Sequence, residues 1–413
     1  MKKFAKMSLV AAVAVAGLST TSSAKALEEA IKNVDVSGTV VYRYDDRSYD
    51  DKDTDLANNN YKIGLTLKSK VNDDVTAVTR FIVGSQADGG FATLGTTESD
   101  NGNIAQSDAQ ADVSLSNVYF SYTGIANTTV NVGKQGLTTP WTVAIDADGN
   151  EQTGTGILAL TNVGPVTLAG AYFNNTNLNA SGGLKLNGTK YHNGTKTTAV
   201  LAGDANVITV GAMANIGPVA LDAWYLDMED TFDTYTIGAL AKFDLDAVKL
   251  SIGARHTQLD IDNALDKNFA KEDNSLTKVE AGVKVGIFGA NVGYGWTDSE
   301  GGLAALDNDA NSGFQGWTMN LNGVADASLL KVSVDAQVLP SLNLALNYNV
   351  LEKDKNDARA KDLTDKEMYV QASYQMSKNF GGYVRLGKAE LEDAFDGKDN
   401  DGTIGRLQVQ YSF

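Results

Sequence analysis

Apolar and polar residues alternate along most of the chain. In Leu329–Val338, residues Leu330, Val332, Val334, Ala336 and Val338 share one face. Lys331, Ser333, Asp335 and Gln337 share the other. Leu339-Pro340-Ser341 supplies a turn, and Leu342–Val350 repeats the dyad. A period of two marks a strand with one apolar face, and two such runs across a turn predict a hairpin. The same alternation recurs in Val248–Arg255, Thr277–Val285 and Met368–Met376. The pattern predicts about 18 strands, the first near residues 34–45 and the last near 403–413.

The connections between these strands alternate in length. Short ones such as Val163-Gly164, Gly217 and Leu339-Pro340 are interleaved with long ones such as Gly84–Asp112, Gly136–Thr155, Asn174–Ala205 and Thr297–Asp326. Sandwiches and propellers have no reason to sort loops this way. Transmembrane barrels do, with short periplasmic turns, long outer loops and an even strand count. The fold expected is all-β: a transmembrane antiparallel β-barrel with no packed apolar interior. Its outward dyad faces lipid and its inward dyad faces water.

The first residues break the pattern. Lys2, Lys3 and Lys6 precede a 12-residue apolar core, Met7–Leu18, and Ala24-Lys25-Ala26 gives an Ala-x-Ala site. This reads as a secretory signal peptide over residues 1–26. The core is too short for a membrane-spanning helix. The barrel domain would then occupy residues 27–413, after a short helix at Leu27–Asn33. Losing four Lys takes the formal charge from −17 to −21.

Composition narrows the chemistry. The acidic balance, 51 Asp+Glu against 34 Lys+Arg, argues against nucleic acid as a partner. With no Cys there is no thiolate nucleophile or Cys-ligated metal, and two lone His, His192 and His256, support neither a catalytic triad nor a metal site. No enzymatic activity is expected. Gly382-x4-Gly387-Lys388 is followed by Ala389 where a P-loop needs Ser or Thr. Gly154-x-Gly156-x2-Ala159 opens no helix, so it is no dinucleotide fingerprint. Asp146-x-Asp148-x-Asn150 begins like an EF-hand, but Glu151 and Ile157 stand where Gly and Glu are required. No metal site is assigned; Ca²⁺ stands only as a candidate ligand for this acidic loop.

The chain ends inside an alternating strand. Thr403–Phe413 places Leu407, Val409, Tyr411 and Phe413 outward and Arg406, Gln408, Gln410 and Ser412 inward. This end, the segment Leu27–Asp45 (LEEAIKNVDVSGTVVYRYD), and Val132–Thr142 with Gly133-Lys134-Gln135 and Trp141, followed by Gly154-Thr155-Gly156, resemble the major outer-membrane porins of Campylobacter and its relatives. Close similarity covers the smaller part of the chain, and the rest agrees in architecture. The resemblance implies an 18-stranded barrel in the outer membrane, trimeric, among lipid and lipopolysaccharide. It implies insertion by the barrel-assembly machinery, with Tyr411 and Phe413 as the C-terminal assembly signal. The function implied is passive diffusion of small hydrophilic solutes and ions. A closed barrel serving as a structural protein or adhesin is the alternative.

By the same resemblance to porins, the third outer loop, Gly136–Thr155, folds inward and narrows the channel. Its charges, Asp146, Asp148 and Glu151, are all acidic. Arg43, Arg80 and Arg406 would face it from the wall, with Lys134 added although that residue shares strand parity with Val130 and Val132. Opposed charges across a narrow aqueous gap set up a transverse field. The acidic loop and the net charge predict a weak preference for cations.

Overall fold

The computed structural model describes residues 34–50, 56–86, 88–96, 112–181, 190–192, 195–197, 203–262, 273–356, 359–392 and 401–413. The signal peptide and the helix expected at Leu27–Asn33 lie outside these residues. Among them, nineteen strands form one antiparallel sheet. One of these, Ala92–Thr96, only extends the outer end of the second strand. The other 18 close into a barrel.

In chain order these are β1 Val34–Tyr49, β2 Leu56–Lys70, β3 Val75–Gly84, β4 Asp112–Ile125, β5 Thr128–Gly136 and β6 Thr153–Val163. Next come β7 Val166–Thr176, β8 Val207–Ile216, β9 Val219–Met228, β10 Phe232–Leu245, β11 Val248–Ile261 and β12 Asp273–Val285. The last are β13 Phe288–Thr297, β14 Ala327–Leu339, β15 Leu342–Lys353, β16 Leu363–Ser377, β17 Phe380–Glu390 and β18 Gly402–Ser412. Each pairs with its sequence neighbours. β18 returns to β1, from Thr39 opposite Ser412 to Tyr49 opposite Gly402. Closure satisfies every edge, which lipid demands because it offers no hydrogen bonds.

The dyad sets the facing. Val332 and Val334 are exposed on the outer surface, while Lys331 and Ser333, which alternate with them, turn into the lumen. Aromatic side chains form two outer belts, as interfacial residues do in such barrels. Tyr122, Phe243, Tyr374, Tyr411 and Phe413 lie near the short turns; Tyr225, Tyr235 and Trp296 lie toward the long loops. The two-residue turns after β4 and β10 put Asn127 and Asp246 at φ 57°, a left-handed conformation that Asn and Asp tolerate.

Two expectations need correction. The fifth outer connection is short, only Glu229–Thr231 between β9 and β10. The lumen also contains apolar packing. The inward faces of β7–β11 turn apolar at their outer ends, with Phe173, Val207, Trp224, Leu226, Met228, Phe232, Leu259 and Ile261 in one cluster. Leu276, Leu329 and Leu351 join a second. Strands of up to 16 residues exceed what a bilayer requires, so their outer ends wall a vestibule instead. Loops dipping into it supply the partners of these apolar residues.

Candidate functional site

The third outer loop, residues 137–152, descends into the barrel. Its apolar start is seated first. Leu137 and Trp141 are fully buried in the cluster with Phe173 and Trp224. Its charged end is clamped to the opposite part of the wall. Glu151 receives a two-pronged contact from Arg80, Nε to Oε2 at 2.8 Å and Nη2 to Oε1 at 2.6 Å. Lys62 Nζ lies 3.0 Å from the same Oε1. All three side chains are buried. Lys62 also donates to the carbonyls of Asp146 and Gly149, the latter at 2.9 Å. Gly64 makes room for this clamp, since a Cβ there would sit 2.4 Å from Arg80 Nη2.

The seventh outer loop, residues 298–326, also fills the vestibule. Leu303 and Leu306 pack with the third loop's Trp141, and Phe314, Met319 and Leu321 cover Leu276 and Leu329. The two loops are bonded to each other. Leu306 N donates to Trp141 O at 2.9 Å and Ser312 N to Pro140 O at 2.8 Å. Gln152 Nε2 donates to Asp307 Oδ2 at 2.6 Å. At the tip, Glu367 of β16 accepts from Trp317 N at 2.6 Å, Thr318 N at 2.7 Å and Asn349 Nδ2 at 2.6 Å. Glu367 is 1% exposed, so these bonds offset the cost of burying its charge.

Between the loops and the wall lies a cavity of about 770 Å³. Asp148 and Asp309 reach it from the loops, and Arg43, Lys331, Arg385 and Arg406 from the wall. Asp148 accepts from Arg43 Nη2 at 3.2 Å and from Gln408 Nε2. Asp146 Oδ1 takes the Asp148 amide at 2.7 Å, while its Oδ2 is buried without a partner. Burial pushes the carboxyl groups of Asp146, Asp307 and Asp309 above their ordinary value of 3.8, and their mutual proximity adds to the rise. Among the described residues, no group of three or more acidic, His or Cys side chains is arranged to hold a metal ion.

A closed barrel narrowed by inward-folded loops around a polar cavity is the geometry of a diffusion channel. The Campylobacter major outer membrane protein family matches residues 1–316. The chain belongs to that family. It is an outer-membrane porin, a channel for passive diffusion. Solved structures agree on the fold. OccAB3 of Acinetobacter baumannii superposes with a TM-score of 0.70 at 16% identity, over 92% of this chain and 99% of that one. A BenF-like porin from Pseudomonas fluorescens gives 0.68 at 14%, over 92% and 99%. Pseudomonas aeruginosa OccK2 gives 0.70 at 11%, over 92% and 98%. No curated protein matches the chain in sequence.

Within this porin the named residues fall into separate groups. Arg43 meets Asp148, and Arg80 meets Glu151. Arg406 instead pairs with Asp45 of β1, Nε to Oδ1 at 2.5 Å. Lys134 bonds the Leu115 carbonyl on β4 at 3.2 Å, away from the acidic loop. Its neighbour Gln135 takes the buried inward position. Tyr411 and Phe413 stack on the outer face with ring centroids 5.7 Å apart. Strand parity marks Lys62 as an inward side chain but not as part of a clamp, and it assigns no role to Glu367 or to the seventh loop. The signal was present in the loop: Leu303, Leu306, Phe314, Trp317, Met319 and Leu321 are too many large apolar residues for a segment in open water.

Proposed function

We propose that the porin narrows between its third and seventh outer loops and the β1, β17 and β18 wall. It passes small hydrophilic solutes and ions with a weak preference for cations. The supporting observation is the charge layout of the 770 Å³ cavity, with loop carboxylates Asp148 and Asp309 set against Arg385 and Arg406. The preference is weak because the charges at the constriction nearly match. It leans to cations because the chain as a whole is acidic, −17 in full and −21 without residues 1–26. Glu151 adds no free charge, since two cations cover it. We further propose, on family grounds, that the chain is exported with removal of residues 1–26. By the same reading it is inserted by the barrel-assembly machinery, works as a homotrimer among lipid and lipopolysaccharide, and catalyses no reaction.

A planar-bilayer recording in a potassium chloride gradient tests the selectivity. The wild type should give a small reversal potential of cationic sign. Asp148→Asn combined with Asp309→Asn should move it toward anions. An unchanged potential in the double variant would place the selective constriction elsewhere. A barrel that never conducts would return the reading to a structural protein or adhesin.

A further inference from the structure

Arg385 is a lumen charge without a counter-ion among the described residues. It stands on β17 directly opposite Arg406 of β18, and like charges at directly opposed positions repel. Arg406 has Asp45 as its counter-ion. Among the described residues, no carboxylate pairs with Arg385. Its Nε donates to the neutral Gln371 Oε1 at 2.8 Å. Three aromatic rings surround the guanidinium carbon, Trp317 at 4.8 Å, Tyr369 at 4.9 Å and Tyr383 at 5.2 Å. Cation–π contact of this kind orients a guanidinium without neutralising it. Trp317 is itself fixed, by the Glu367 carboxylate on its amide and by an edge-on contact with Tyr369 at 5.1 Å. Two wall strands and the seventh loop thus hold one uncompensated fork of donors at the edge of the aqueous cavity.

We propose that Arg385, with Arg406 beside it, is a transient binding subsite for the carboxylate of small zwitterionic solutes of the amino-acid type. The planar fork suits a carboxylate. The acids in the same cavity decide the rest of the ligand. Asp148, Asp309 and Glu280 line it too, so a dianion entering to meet Arg385 is repelled from several sides. A solute carrying an ammonium group at its other end gains from both signs. The proposal rests on the open-channel reading and adds a solute class to it.

Alanine and lactamide test it, being isomers of equal size of which only alanine is a zwitterion at neutral pH. Swelling rates of liposomes containing the full barrel give the alanine-to-lactamide ratio, and lactamide entry alone reports an open channel. In Arg385→Gln the ratio should fall about threefold, the scale of a partly solvated charge-assisted contact. An unchanged ratio with lactamide still entering overturns the subsite and leaves the channel standing. Failure of lactamide to enter through the wild type overturns the channel reading itself. A second measurement needs no variant. Alanine should reduce the wild-type single-channel current with saturation while lactamide should not, and a linear dependence for both overturns the proposal.

Discussion

Glu151 answers two buried cations with one carboxylate, so the Lys62–Glu151–Arg80 cluster keeps a net positive charge in the wall. Removing the acid leaves both cations buried and unpaired, which costs on the order of 3–5 kcal/mol. The strands survive that loss because their ladders do not pass through Glu151. The third loop does not, because Lys62 holds its backbone from the same position. Glu151→Gln is therefore expected to leave the barrel folded but loosen the loop. Single-channel traces should show frequent closures, and protease added to the outer face should cut within residues 137–152; quiet traces and an uncut loop would contradict this. At this scale the inward side chains were legible from strand parity alone, Arg43, Arg80 and Arg406 among them. Their partners were not. A period of two gives direction but not depth, so Arg406 could not be assigned to Asp45 rather than to the loop.

At the scale of elements, the strands were readable because lipid on one side and water on the other impose a strict dyad. The inward loops have no period to read, and their apolar residues find partners only through tertiary contact with the outer strand ends. The junction of the two loops brings three partly desolvated acids together, and it should respond to pH. Asp146, Asp307 and Asp309 all have carboxyl pKa values raised in the folded state. A raised acid binds its proton more tightly folded than unfolded, so its ionisation weakens the junction at neutral pH. That penalty lifts as pH falls through the raised values, which lie above 3.8. Mild acidification should therefore quieten loop fluctuations and, by neutralising Asp309, shrink the cationic reversal potential. A potential that grows on acidification within this window would show that other groups control the constriction.

On the scale of the whole molecule, the decisive contact joins the two ends of the described barrel. β18 pairs with β1, and Phe413 extends that ladder by one more residue: Gly38 N donates to Phe413 O at 2.9 Å and Phe413 N to Gly38 O at 3.0 Å. The ring of Phe413 lies over Gly38, where an added Cβ would approach Cζ to 2.7 Å. An aromatic over a strand glycine covers backbone that has no side chain of its own. The ring also stacks on Tyr411 in the inner belt. This closure is the longest-range pairing in the sheet, so it forms late, when the open edges of β1 and β18 are most exposed to mispairing. Deleting Phe413 removes two backbone hydrogen bonds, about 1 kcal/mol each, together with the ring. Phe413→Ala keeps the backbone bonds and removes only the ring. Assembly should decline in that order, wild type above Phe413→Ala above the deletion, read as the heat-modifiable fraction in outer membranes. If both variants assemble at wild-type levels, the barrel closes without help from its last residue. If Phe413→Ala fails as completely as the deletion, the ring over Gly38, and not the extra rung of the ladder, is what completes the seam.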